Sequence, residues 1–515
     1  MHAHIFSATT VGIEAHLVEI EVDLSMGLIQ FTIVGLPSTS IKESTKRIAA
    51  SLKNSGVRLP ARKITVNLAP ADLKKEGTVF DLPIAIGILC AAKQVVVPEA
   101  LIRETLFLGE LSLDGRVRPI KGALAIAAGA PSLGKKRCII PKENEPEVAL
   151  VKDIEIIGVN HLVEVIAYLR GELTCAPYAP HITVDDELHE EALDYAHVKG
   201  QRQAKRVLTI AAAGWHNVVF VGPPGSGKTM LAQRLPTIMP PLSTEECLET
   251  SKIYSVSGLL HNKAFCKERP FRDPHHSISQ AGLIGGGSYP QPGEISLSHH
   301  GVLFLDEIVE FKRSVLEGLR QPLENRSVLI SRAHQTVSYP SSFLLVAAFN
   351  PCPCGYFGDK RRSCSCSSLQ IMRYLEKLSG PLLDRIDLQT HVQSIAYEHI
   401  SREHNDVSGE GSSVAMRQTV ERALNMQYKR FNVSGKWNGL MSSEEVETYC
   451  VMTEEAQAVI KQAFDSCKLS MRGYHKLLKV ARTIADCEEK EIIEPLHIQE
   501  ALMYRSVDYM LDRAL

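Results

Sequence analysis

Apolar and polar positions along the first 170 residues switch between two periods. HLVEIEVDL and IQFTIVGL alternate as half-buried strands do, Ser40 to Leu52 repeats at helical spacing, KITVNLAP returns to a strand, and DLPIAIGILCAA reads as an apolar helix. Residues 171–190, GELTCAPYAPHITVDDELHE, combine Pro and Gly breakers with an acidic cluster and read as a linker. From 191 to 395 the order strand, Gly-rich loop, helix, strand predicts a parallel sheet wrapped by helices. Residues 396–414, ending NDVSGEGSS, read as a flexible loop, and 415–515 are almost wholly helical in pattern, as in MRGYHKLLKVARTIADCEEKE.

Length and composition narrow the class. A chain of 515 residues holds about three domains at ~100–200 residues each, and 44% hydrophobic with 23% charged residues is ordinary for a globular protein. No apolar run approaches the ~18–20 residues of a membrane span, and MHAHIFSATTVGIEAHLVEI lacks the cationic start and apolar block of a signal peptide, so the expectation is a cytoplasmic protein without membrane contact. A formal net charge of -2 excludes a globally basic polyanion binder, so any contact with nucleic acid is local.

Three strand ends carry the chemistry. VVFVGPPGSGKTMLAQRL, residues 218–235, fits the phosphate-loop pattern. The backbone N–H groups of Gly222, Pro223, Pro224, Gly225, Ser226, Gly227, Lys228 and Thr229, prolines excepted, and the helix N-terminus that follows suit the phosphates of ATP; Lys228 reaches the terminal phosphates and Thr229 holds Mg2+. GVLFLDEI, residues 301–308, ends in two carboxylates: Asp306 orients Mg2+ and Glu307 polarises the attacking water, unless the pair merely caps a helix. FLLVAAF then places Asn350 at a third exit, where its amide can bond the water or the γ-phosphate; taken alone, an Asn before Pro is a turn residue.

Just beyond Asn350, Cys352, Cys354, Cys364 and Cys366 form CxCx9CxC around a basic, Gly-containing loop. In a reducing compartment two close thiol pairs favour structural, tetrahedral Zn2+ over disulfides, because four thiolates leave no open coordination position. The cysteines then pin a protrusion on the Asn350 strand.

The succession GPPGSGKT, LFLDE, AAFNP, PLLDRIDL and LSMRG resembles an AAA+ ATPase of the branch shared by magnesium chelatase and MCM helicases. RPFRDPHHSISQAGLIGGGSYPQPGEISLSHHGVLFLDEI and LRQPLENRSVLISRAHQTVSYPSSFLLVAAFNPCPCG are more closely similar to the YifB/ComM family of magnesium-chelatase-like proteins, over essentially the whole chain. The resemblance implies a homo-oligomer, a hexameric ring with ATP between subunits, in which Arg385 is the arginine finger supplied in trans and Arg472 the sensor arginine of a helical lid. It implies that SVLISRAHQTVSY, residues 327–339, is a pre-sensor hairpin presenting Arg332 and His334 to DNA, and that HSISQAGLIGGGSYPQPGEISL is a helix-2 insert forming a second channel loop; a solvated hairpin is the plainer alternative. VKGQ, Val198 to Gln201, resembles the segment that packs on adenine, with His197 where an acidic residue is common; His275 and His276 read as structural.

GELSLDGRVRPIKGALAIAAGA and IIPKENEPEV resemble the Lon protease proteolytic fold, with Val79 at the position of the catalytic Ser and Leu124 at that of the Lys, so no protease is expected. The fold class is thus α/β and multidomain: a Lon-protease-like α+β domain (1–170) without catalytic Ser/Lys, a linker (171–190), an AAA+ P-loop α/β domain with helix-2 insert, pre-sensor hairpin and four-cysteine insertion (191–395), a loop (396–414) and a C-terminal helical lid (415–515). The implied activity is that of an ATP-driven DNA helicase or translocase, acting on single- and double-stranded DNA or branched junctions and promoting branch migration when incoming DNA is recombined in natural transformation. The alternative is a protein-directed AAA+ remodelling ATPase or a chelatase-type motor subunit.

Overall fold

The computed structural model describes residues 1–75, 77–178, 193–260, 264–287, 290–332, 335–359, 361–394, 411–433, 435–466 and 469–505. Much of the expected linker and nearly all of the expected loop at 396–414 therefore lie outside the described residues. The chain forms two compact units. One comprises Met1–Asp185, Ser243–Lys267 and Ala333–Tyr339; the other comprises Asp186–Leu242, Glu268–Arg332 and Pro340–Leu515.

In the first unit the alternating segments pair as the period requires. His2–Val11 and Glu14–Ser25 form an antiparallel hairpin in continuous register from His2 opposite Asp23 to Val11 opposite Glu14. Lys63–Ala69 pairs antiparallel with the second strand, and Phe31–Val34 closes the edge in parallel, so the sheet is mixed. A separate parallel sheet holds Thr105–Phe107, Arg137–Pro141 and Glu155–Val159. The apolar run at Asp81–Ala91 is a helix buried along almost its whole surface, which is why it shows no polar face. Val79 and Leu124 are both buried apolar side chains, and neither can serve as a nucleophile or base. The helix Thr244–Ser257, opened by a Ser243/Glu246 capping box, also belongs to this unit and packs beside Ala123–Gly129.

The second unit is built on five parallel strands in the spatial order Phe271–Arg272, Val302–Leu305, Leu344–Phe349, Val218–Val221, Leu388–His391. The three central strands are buried at every residue, so their continuous apolar runs reflect helices on both faces. The helices Ser413–Phe431, Ser443–Tyr449, Glu454–Ser466, Met471–Cys487 and Pro495–Met503 complete this unit and share its core. Parallel strands place all their C-terminal exits on one edge, and four to six residues span roughly 13–20 Å, so the two edges of the sheet are separate chemical environments. Ser327–Arg332 and Gln335–Pro340 form the expected hairpin, whose tip, including His334, is outside the described residues. No helix among the described residues is long and apolar enough to cross a membrane.

Candidate active site

At the C-terminal edge, Val218–Val221 leads into the loop Gly222–Gly227 and the helix Lys228–Gln233. Gly225 and Gly227 hold φ of +73° and +92°, with open space where a side chain would stand, so the loop wraps outward with its N–H groups clear. Gly222 is hemmed in instead: a Cβ there would lie 2.2 Å from the carbonyl of Val392. Ser226 Oγ is buried without a hydrogen-bond partner. Gln201 Nε2 ties the loop to its neighbour strand, donating to Ser226 O at 3.1 Å and to Gln393 O at 2.7 Å. Lys228 Nζ donates to the carbonyls of Gly222 at 2.8 Å and Pro223 at 3.0 Å, and to Asn350 Oδ1 at 3.2 Å. Burial pushes this ammonium down from its ordinary value while Asp306 and Glu307 pull it back.

Thr229 Oγ1 donates to Asp306 Oδ2 at 2.7 Å, joining the phosphate loop to the strand Val302–Leu305. The next residue, Glu307, takes a left-handed φ of +49°, and its N–H donates to Asp306 Oδ1 at 2.9 Å. This turn points two successive carboxylates in different directions, one at Thr229 and one toward solvent. His276 Nδ1 stands 3.8 Å from Glu307. Asp273, just past the strand Phe271–Arg272, supplies a third carboxylate, pushed up by burial and then by the charge of Asp306. Gly222 to Thr229, Asp306, Glu307 and Asn350 therefore converge on one edge.

Arg385 and Arg472 lie at the other edge. Arg385 precedes the strand Leu388–His391, and Arg472 sits in the first turn of the helix Met471–Cys487, capped by Ser470. Both guanidinium groups reach one carboxylate: Glu324 Oε1 is 2.6 Å from Arg385 and 2.9 Å from Arg472. The Arg385 hydrogen bond is the larger cause that holds Glu324 below the usual carboxylate range. Asn217 anchors this edge, its Nδ2 donating to Arg385 O at 2.9 Å while its Oδ1 accepts from Leu345 N–H at 2.9 Å. The residues line a cavity of about 510 Å3 that also collects Arg326, His475, Lys476 and Lys479. Burial pushes both lysines below their ordinary value, and Arg385 Nε and Ser341 Oγ, which also line the cavity, are buried without partners. Such a pocket favours an incoming anion.

The edges fit different groups. The open loop, the unpartnered Ser226 hydroxyl and Lys228 suit a polyphosphate, and the Thr229–Asp306 pair offers oxygen ligands of the kind Mg2+ takes. The cysteine cluster fits a tetrahedral metal: the Sγ atoms of Cys352, Cys354, Cys364 and Cys366 lie within 4.8 Å of one another. Separations of 3.3, 3.6 and 3.5 Å among Cys352, Cys354 and Cys364 approach the roughly 3.8 Å edge that four Zn–S bonds of ~2.3 Å require. The backbone N–H groups of Tyr356 and then Ser365 pull the Cys354 thiol down to about 5, while Cys364 and Cys366 are held above their ordinary value, so the four sulfurs do not ionise alike.

Arg332, on the first strand of the hairpin, is exposed and lies against the insert: a Cβ on Gly286 would be 2.9 Å from its guanidinium. Glu324, Asn217, Asp273 and Gln201 take part in these sites without having been singled out for such roles. Position offered a signal for Asp273 only in that it follows a short strand as Asp306 follows a longer one; the pairings of the others cross 25 to 192 residues of chain.

Comparison with known proteins agrees with this architecture. Residues 194–400 match the family described as magnesium chelatase, subunit ChlI, residues 20–144 match subunit ChlI of Mg-chelatase, and residues 410–505 match the ChlI C-terminal family. The chain is 43% identical over 517 residues to the competence protein ComM of Haemophilus influenzae, covering 99% of each, and 42% identical over 508 residues to the protein YifB of Escherichia coli, covering 98% of this chain and 97% of that one. A shorter stretch, 30% of this chain, is 29% identical to 29% of Lon protease 2 of Bacillus subtilis. With the phosphate loop, paired carboxylates and Asn350 on one parallel sheet and full-length similarity to both relatives, the chain belongs to the YifB/ComM family of magnesium-chelatase-like AAA+ ATPases.

Proposed function

We propose that this chain is the subunit of a cytoplasmic homo-oligomeric ring, a hexamer, that hydrolyses ATP to move DNA and drives branch migration as incoming DNA is recombined in natural transformation. The observation that carries the reading is the division of charges between the two edges of one sheet. Lys228, Thr229, Asp306, Glu307 and Asn350 share an edge that Arg385 and Arg472 do not share. A second copy, presenting its opposite edge, completes the set.

In this reading the loop N–H groups and Lys228 bind the β- and γ-phosphates, while Thr229 and Asp306 hold Mg2+, which neutralises phosphate charge when bound. Glu307 accepts a proton from the attacking water, and Asn350, already 3.2 Å from Lys228, orients that water against the γ-phosphate. The neighbour's Arg385 and Arg472 exchange Glu324 for the γ-phosphate and stabilise the charge that develops on transfer. Until then Glu324 keeps both guanidinium groups aimed into the cavity.

The domain bounds follow the same reading: a Lon-protease-like domain at 1–170, the ATPase at 191–395 and a helical lid at 415–515, joined by the segments 171–190 and 396–414. Arg332, with His334 at the hairpin tip, grips phosphates without reading bases, which a nearly neutral chain can do locally. The relative called competence protein ComM supports the DNA role; similarity to chelatase subunits keeps a protein-directed motor as the competing outcome.

The test is strand exchange at a synthetic four-way junction with ATP, comparing wild type with Lys228→Ala and Glu307→Gln. The expected result is migration by wild type alone, with the Glu307 variant binding ATP but not turning it over. ATPase activity indifferent to DNA, or junction movement by all three proteins, would sink the reading.

A further inference from the structure

The ATPase reading gives the four cysteines no part in the reaction, yet the loop they close lies against the nucleotide loop. Gly355 holds φ of +87°, and a Cβ there would meet the ring of Pro224 at 2.6 and 2.8 Å, so its backbone lies flat on the phosphate loop. The Gly355 N–H donates to Cys352 O at 2.9 Å, forming the turn that also brings Cys352 and Cys354 Sγ to 3.3 Å. One turn therefore makes a ligand pair and the surface that touches Pro224.

Two further ties run from the same segment. Asp359 Oδ2 accepts from Ser394 Oγ at 3.2 Å, and the preceding residue, Gln393, offers its carbonyl to Gln201 Nε2, which also holds Ser226 O of the phosphate loop. Upstream, Gly222 N–H donates to Phe349 O at 3.2 Å and Lys228 bonds Asn350, two residues before Cys352. The phosphate loop is thus braced at Gly222, Pro224 and Ser226 by residues within or tied to the cysteine segment.

From Cys352 to Ser367 the described residues form no helix or strand. A segment of that kind keeps one shape only where cross-links remove its freedom, and four thiolates on one metal are such a cross-link. A phosphate loop binds through N–H groups already in place, so a slack support lowers affinity by adding ordering entropy to binding.

We propose that metal held by Cys352, Cys354, Cys364 and Cys366 braces the phosphate loop through Gly355 and Asp359, making nucleotide affinity depend on occupancy of the cysteine site. The proposal rests on the assignment of Gly222–Thr229 as the ATP site. Gly355 and Asp359 act as positioning residues, through Pro224 and Ser394 respectively.

The experiment uses the full chain and three readouts: zinc content by mass spectrometry, helical signal by circular dichroism, and affinity for the fluorescent analogue mant-ATP with Mg2+. Stripping zinc with a chelator is expected to weaken mant-ATP binding about 10-fold or more with the helical signal retained, and adding Zn2+ back restores it. Gly355→Ala, with all four thiols intact, is expected to keep its zinc and still bind about 10-fold more weakly, because the added methyl displaces Pro224 and strains a left-handed backbone. Unchanged affinity after zinc removal, a protein isolated without metal, or a Gly355→Ala variant that binds like wild type would overturn the proposal. A zinc-loaded wild type that binds no mant-ATP would overturn the ATP-site assignment with it.

Discussion

The two edges of the five-stranded sheet are made by the same strands and carry opposite chemistry. At the C-terminal exits, short polar residues follow buried apolar runs: Gly222, Asp306 and Asn350 each stand one residue past a strand. At the N-terminal entries the cations come from outside the sheet, from Arg385 ahead of a strand, Arg472 on a helix, and Lys476 and Lys479 further along it. The difference teaches that a parallel sheet gathers strand exits and helix N-termini, and with them the phosphate-binding half of the site, on one edge while the cations gather on the other; in the proposed ring those cations reach the site from a second copy.

Breaking the cationic edge gives the largest expected effect. Arg385→Ala should lower kcat by about 10^3-fold or more, the range removed with an arginine finger, while mant-ATP affinity stays within about 2-fold. Mixing this variant with catalytically dead Lys228→Ala subunits sharpens the comparison. Arg385→Ala chains carry the intact phosphate edge and Lys228→Ala chains the intact cationic edge, so mixed assemblies should recover part of the ATPase rate that neither protein shows alone. No recovery would mean that each chain completes its own site.

Breaking the phosphate edge comes next. Lys228→Ala removes a charged donor from a partly buried loop, and on the order of 10^2-fold weaker mant-ATP binding is expected from the loss of about 3 kcal/mol. The mirror of the Arg385 result, a loss in affinity rather than in turnover, distinguishes the edges by direct titration.

The smallest effect concerns the integrity of the cationic edge. Burial pushes the Asp387 carboxyl up, but Lys476 at 3.2 Å and His216 at 3.4 Å outweigh it and hold the group below the usual carboxylate range. A carboxyl depressed in the folded state stabilises above its unfolded pKa of roughly 4, and that contribution is lost as pH falls below it. Thermal unfolding of wild type should therefore drop from pH 5 to pH 3 by more than that of Asp387→Asn. Parallel curves would show that Asp387 does not hold the edge together.

Much of the phosphate edge was legible because its signals are local. A strand, a glycine loop and a helix start occupy 18 consecutive residues from Val218 to Leu235, and the apolar runs before Asp306 and Asn350 fix where those side chains emerge. The hairpin at 327–339, expected through the family resemblance, forms as Ser327–Arg332 paired with Gln335–Pro340. The cationic edge was not legible as a place: Arg385 and Arg472 were named through family resemblance, and nothing in the chain announces that both meet Glu324, 61 and 148 residues away. The CxC pairs announced a metal but not what lies beneath them, because Gly355 and Pro224 approach only when the Leu344–Phe349 and Val218–Val221 strands pair. The helix Thr244–Ser257, opened by the Ser243/Glu246 capping box, joined the first unit through packing with Ala123–Gly129 that no local pattern encodes.

Period, capping and strand-exit chemistry act over a few residues, so the sequence by itself determined the elements, the parallel sheet, the phosphate loop with its carboxylates, and the tetrad of thiols. Only the tertiary structure decided which edge each charge faces, that one carboxylate gathers two arginines, and that the cysteine loop rests on the nucleotide loop. Those outcomes depend on contacts between distant segments, whose energies come from burial and shape complementarity rather than from anything a neighbouring residue can specify.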